Sequence, residues 1–167
     1  MLAPILAPRR WHCHAFDYVD GGARIRVAPS GAPPDSVVAV VAEADHACVG
    51  CDWELICTLL PAAAAELHYN PYNCPAKPSG EQVSWIRGSP ADTRYVNDVV
   101  GFLDPPGIKG TGRPSGGVIT ARGRLMYRAQ PGAGKFAAIE TCALAAVDRQ
   151  LCDAILEDFE VRAWGLS

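Results

Sequence analysis

Gly117-Val-Ile-Thr-Ala-Arg-Gly-Arg-Leu-Met-Tyr-Arg-Ala129 decides the fold class. Under strict alternation Val118, Thr120, Arg122 and Arg124 share one face of a strand. Ile119, Ala121, Gly123, Leu125 and Tyr127 share the other, and that second face reads as buried. Upstream lies the Gly-rich connection Gly107–Gly117, and before it Thr93–Leu103 (TRYVNDVVGFL), β-rich and stopped by Pro105-Pro106. Gln82–Arg87 (QVSWIR) alternates with Val83 and Trp85 or Ile86 inward. Trp53–Leu60 (WELICTLL), stopped by Pro61, and Ser36–Ala42 (SVVAVVA) read as buried strands. Arg24–Val27 is a further short strand, and Pro29–Asp35 (PSGAPPD) is a loop by composition.

Downstream of the Gln130–Gly134 turn the period changes. Phe136, Ile139, Ala143, Val147, Leu151 and Ile155 recur every three or four residues, which predicts an amphipathic helix from about Lys135 to about Glu157. Phe159, Val161 and Ala163 then alternate with charges, as a last short strand would. The expected fold is therefore mainly β: a two-sheet antiparallel sandwich of jelly-roll type with a C-terminal helix. Its parts would be an N-terminal arm with the first short strand (1–35), the sandwich core (36–130) and a helical extension (131–167). The extension is expected to reach a neighbouring subunit. Its deletion would then abolish assembly and leave the β domain soluble.

A chain of 167 residues suits one domain, and 49% hydrophobic with 20% charged residues excludes intrinsic disorder. The net charge of −3 provides no basic field for nucleic acid, so any such contact must come from many assembled copies or from a few local residues. Arg9-Arg10 is the only adjacent basic pair near a terminus. No apolar run approaches a membrane span, and Met1–Pro8 lacks the pattern of a signal peptide. Seven cysteines is an odd count for a complete disulfide framework, and it suggests reduced thiols in a cytosolic setting.

The sharpest local motif is Cys48-Val-Gly-Cys51. Two thiolates at this spacing suit zinc, with His46, Cys57 and Cys74 as candidates to complete the set. No second CxxC or HxxxH follows, and ordinary buried or turn cysteines explain the motif as well. His12-Cys13-His14 puts two imidazoles on one face of an extended segment, where they would chelate a metal or simply lie at a surface. Gly132-Ala-Gly-Lys135 fails as a phosphate loop because Phe136 stands where a hydroxyl is needed. Gly110-Thr-Gly-Arg-Pro-Ser-Gly-Gly117 has the composition to cradle an anion, although a plain connection explains it too. Asp92, Asp98 and Asp104 read as turn or edge residues. Glu54 and Glu66 flank strands without pairing as acid and base. Trp11, Trp53, Trp85 and Trp164 read as core or interface anchors. No catalytic, cofactor-binding or metal-binding residue is assigned, and the chain reads as a non-enzyme without cofactor.

Glu54–Pro61 (ELICTLLP), Leu67-His-Tyr-Asn-Pro71 followed by Asn73-Cys-Pro75, Arg94–Pro105 and Gly117–Tyr127 occur in an order that resembles tymovirus-like coat proteins. More loosely, they resemble other single jelly-roll coat proteins of small positive-strand RNA viruses. The resemblance covers roughly residues 53–129. It implies a structural subunit of an icosahedral capsid, held by contacts between copies of itself around RNA that it touches weakly, with no membrane partner. The location it implies is the virion, and the host cytoplasm during assembly. Two alternatives from the residues alone are a non-catalytic β-sandwich module that binds carbohydrate or protein, and a metal or redox protein built on Cys48 and Cys51.

Overall fold

The structure, a computed structural model, describes residues 5–17, 22–45, 56–61, 76–88, 98–112, 117–130 and 134–165. In chain order these form β1 (Trp11–Asp17), β2 (Ala23–Pro29), β3 (Ala39–Asp45), β4 (Gln82–Arg87), β5 (Asp98–Asp104), β6 (Ile119–Gln130), β7 (Gly134–Ala145), a 3-10 turn (Ala146–Asp148) and the helix α1 (Arg149–Gly165). The chain is mainly β with a C-terminal helix, as expected. The two-sheet jelly roll is not what the described strands build. They form one antiparallel seven-stranded sheet in the order β1-β2-β3-β7-β6-β5-β4.

This order joins two meanders, β1–β3 and β4–β7, through a single seam. β7 pairs with β6 from Ile119↔Ala145 to Gln130↔Gly134 and with β3 from Ala39↔Ala143 to Asp45↔Ala137. The helix expected over 135–157 is therefore strand for its first half. Ala137–Glu140 and Cys142–Leu144 are buried on both faces of the sheet. A strand covered on both sides shows a continuous apolar run instead of alternation, and an Ala-rich run of that kind imitates a helix period. Deleting 135–167 would remove the strand that joins the two meanders, so the remaining β domain is expected to lose its fold rather than stay soluble.

α1 begins where the β7 register ends and continues through Val161 and Ala163, where a short strand was expected. Cys152, Ile155, Leu156 and Phe159, at helical spacing, form its buried face. They lie on the sheet of the same chain. Ile155 and Cys152 meet Val40, Cys142 and Leu144, while Phe159 meets Ala44, Val99, Met126 and Ala138. The helix also covers the polar face of β6. Arg122 forms an ion pair with Asp153, and the Arg124 guanidinium donates to the Leu156 carbonyl at 3.2 Å. Cys142 and Cys152 are joined as a disulfide, and Cys57 is disulfide-bonded too, which corrects the expectation of reduced thiols.

The opposite face of β5–β7 carries the larger core. Val100, Phe102, Leu125, Tyr127, Ala137 and Ile139 pack there with Val83 and Trp85. Ile119, Ala121, Gly123, Leu125 and Tyr127 do line this face, as their alternation indicated. Ile86 lies on the other side of β4 and is 44% exposed. Residues 56–60 cover the core as one hydrogen-bonded turn, with Leu60 N–H donating to Ile56 at 2.6 Å, rather than as the strand expected for Trp53–Leu60. Ile56, Cys57, Leu59 and Leu60 are all buried beneath it. Gly123 pairs with Phe102 across β5–β6, and a Cβ there would stand 2.1 Å from the Phe102 ring and 2.7 Å from the Glu140 carbonyl oxygen.

Two outcomes follow from this packing. Gly123→Ala should cost roughly 2 kcal/mol or more in urea unfolding, with part of the loss restored by Phe102→Leu. Replacing Cys142 and Cys152 together by Ala should lower stability by about 3 kcal/mol, the chain-entropy value for so short a loop. An unchanged urea midpoint in either variant would contradict the packing described.

Candidate ligand-binding face

β1 is an edge strand, exposed from His12 to Asp17. Its even-numbered residues point away from the α1 side. The register sets His12 beside Ala28, His14 beside Arg26, and Phe16 beside Arg24. Three flat rings therefore stand in a row along one strand, at intervals of about 6.7 Å, with two guanidinium groups on the next strand. Phe16 is 52% exposed.

The loop after β2 gives this row a wall. Gly31 adopts φ +79°, a conformation that suits glycine, and the Ala32 amide closes the turn onto Pro29 at 3.0 Å. The Ser30 hydroxyl donates to the Arg10 carbonyl, and Arg26 Nη2 donates to the Ser36 carbonyl at 2.7 Å. The result is an open recess of about 260 Å³ bounded by His12, His14, Phe16, Arg26 and the loop residues Gly31 and Pro34. Arg24 stands across from Glu43, and its Nε is buried with no hydrogen-bond partner. Arg9 and Arg10 are exposed in the turn that leads into β1. A surface of this kind can stack planar groups and attract negative charge.

A second polar cluster closes the far end of the sheet. Glu81 and Asp104 are 4% and 0% exposed, and the β4–β5 register carried one residue beyond Gln82↔Leu103 sets them opposite each other. The Thr111 amide donates to Glu81 Oε2 at 2.6 Å and the Gly112 amide to Asp104 Oδ2 at 2.8 Å. Glu81 Oε1 and Asp104 Oδ1 have no other partner. Burial pushes the Asp104 carboxyl up to about 7, and the hydrogen bond and charge of Glu81 push the same way, against the Gly112 amide.

Several residues singled out in the sequence are placed differently from expectation. His12 and His14 do share one face, and they line the recess. Among the described residues no group of three or more His, Cys, Asp or Glu is arranged to hold a metal. Cys48, Cys51, His46 and Cys74 lie outside the described residues, as do Asp92, Glu54, Glu66 and Trp53. Asp98 and Asp104 are buried strand residues rather than turn or exposed edge residues. Trp11 packs with Ile5 and Val38 against Val40 and Cys142, and Trp85 packs on the larger core, so both act as anchors. In the Gly110–Gly117 segment Thr111 and Gly112 do use their amides on carboxyl groups, but these are the protein's own. Arg24, Arg26 and Phe16 were not singled out as site residues. Only the pairing of β1 with β2 brings them beside the histidines.

No protein-family model, curated protein or solved structure matches this chain.

Proposed function

We propose that this chain is a non-catalytic binding protein whose β1–β2 face takes single-stranded nucleic acid. The observation that carries the reading is the row His12, His14, Phe16 beside Arg24 and Arg26. Successive bases of an unpaired strand present flat faces at regular intervals, and a row of rings on an open sheet is a stacking platform for them. The arginines supply the phosphate contacts. With so few cations the electrostatic contribution is small, which agrees with a chain of net charge −3.

A shell-subunit role, implied by the resemblance to jelly-roll coat proteins, is a second reading that contains the first. It is favoured by the two open sheet edges. Among the described strands β1 and β4 each pair on one side only, and both carry mostly exposed residues. Open edges are sites where copies add strand to strand. The disulfides also suit a virion surface better than a reducing cytosol. As a coat subunit the protein would meet copies of itself through its edges and RNA through the β1–β2 face.

Fluorescence anisotropy with a labelled ten-nucleotide oligouridine at low salt tests the first reading. Wild-type protein should bind at micromolar concentration, and Phe16→Ala and Arg26→Gln should each weaken binding about tenfold. The logarithmic salt slope should stay shallow, about −1 to −2. Phe16 is exposed, so its replacement should leave the melting temperature unchanged. Equal affinity in wild type and both variants would end the proposal. Multi-angle light scattering tests the second reading: a large uniform particle supports the shell, and a monodisperse monomer opposes it.

A further inference from the structure

We infer that Glu81 and Asp104 form a proton-sharing latch that holds residues 105–112, the stretch that leaves β5, against the sheet and releases it when the shared proton is lost. Two carboxyl groups are placed opposite each other, out of water, with one amide from the connection bound to each. That uses Glu81 Oε2 and Asp104 Oδ2. The two remaining oxygens, Oε1 and Oδ1, have no donor. A single proton between the groups satisfies both, whereas two carboxylates so close and so buried repel.

Among the described residues no charged group substitutes for that proton; the Thr111 hydroxyl, buried without a partner beside Glu81, is a neutral donor. From the β4 side, Lys77 Nζ donates to the backbone carbonyl of Glu81 at 3.3 Å and not to its carboxyl. In the connection itself, Lys109 is exposed. On β6 and β7 the side chains beside the Gly112 crossing are Ala121 and Thr141, both uncharged. Arg122 points to the other face and is held by Asp153. Among the described residues no cation reaches the pair.

The connection has little freedom to settle elsewhere on this frame. A Cβ at Gly110 would lie 1.7 Å from Asp104 Oδ1, and one at Gly112 would lie 2.6 Å from the Ala121 side chain. The backbone therefore passes directly over the carboxyls, and it approaches that closely only as glycine. Ile108, in the same connection, packs where Gly80 leaves room, its Cδ1 3.0 Å from a hypothetical Cβ. Loss of the proton thus strains the amide contacts, the glycine crossing and the Ile108 contact together.

The sign of the pH effect follows from the raised carboxyl. The folded protein keeps a proton that the unfolded chain loses near the ordinary value of 3.8, and gives it up only at about 7. The latch is therefore fully closed on the acid side. It weakens as pH rises from about 4 to about 7, and further rise changes little.

Trypsin cleavage after Lys109 reads the latch in the full chain. Rates are divided by those of a free peptide of the same sequence at each pH, which removes the protease's own pH dependence. In wild type the normalised rate should rise at least tenfold between pH 5.5 and pH 8.5. Asp104→Asn places an amide N–H toward Glu81 and keeps an acceptor for Gly112, so it should stay resistant at both pH values and melt higher than wild type at pH 8.5. Glu81→Gln should behave the same way and serves as the second variant if Asp104→Asn fails to fold. A flat wild-type profile, or variants cut as fast as wild type at pH 8.5, would overturn the latch. Protection of wild type at pH 8.5 by calcium or magnesium would overturn it too, because a cation and not a proton would then hold the pair.

Discussion

The whole sheet depends on β7 being hydrogen-bonded along both of its edges. β3 closes one meander and β6 belongs to the other, and among the described strands the two meanders are hydrogen-bonded to each other only through this strand. The pairing is between the third strand in the chain and the last, so it spans most of the sequence and must be reached against a large loop-closure entropy. The packing is arranged to stabilise it. β7 is buried on both faces, α1 follows it after one 3-10 turn, and the Cys142–Cys152 disulfide ties the helix to the strand from which it departs. Once β7 is in place, the side on which every other strand presents its residues is determined.

The parts of the fold that were legible are those covered unevenly on their two faces. β6 announced itself because Ile119, Leu125 and Tyr127 alternate with Arg122 and Arg124, and β4 because QVSWIR alternates as well. β7 was misread for the opposite reason. Helix-side burial of Cys142 and Leu144 and far-side burial of Ile139 and Ala143 leave no polar beat, and Ala-rich composition favours helix when context is missing. The run 56–60 was misread by the same ambiguity, since a short apolar segment stopped by proline serves equally well as a strand or as one turn lying on a core. Two layers were expected where the described strands form one sheet, because strand count and spacing do not reveal which strands share hydrogen bonds.

The candidate site was half legible. His12 and His14 at alternate positions declare a shared face, and the structure keeps them together. Their usefulness depends on Arg24, Arg26 and Phe16, and only the β1–β2 register brings these into one row. The buried carboxyl pair was less legible still. Glu81 and Asp104 are 23 residues apart in the chain numbering, in segments that look like ordinary strand ends. Only the Gly-rich composition of the connection after β5 signalled a close backbone approach, and it pointed to an external anion rather than an internal one.

Covering power explains where the open face lies. Seven strands spaced by about 4.8 Å make a sheet roughly 30 Å wide, whereas a helix with its side chains is only about 10 to 12 Å across. α1 contacts β6 and β7 and can shield little more than the centre of its side. On the other side the turn at 56–60 shields the β5–β7 core, and the two strands farthest from that core are β1 and β2. No described element covers His12, His14 and Phe16 at that edge, so they must tolerate water. Imidazole and guanidinium groups do so while keeping flat apolar faces available. Phe16 is one of several exposed large apolar side chains and the aromatic one on this face; covering its ring is worth about 2 kcal/mol, which is what the proposed stacking partner would gain there.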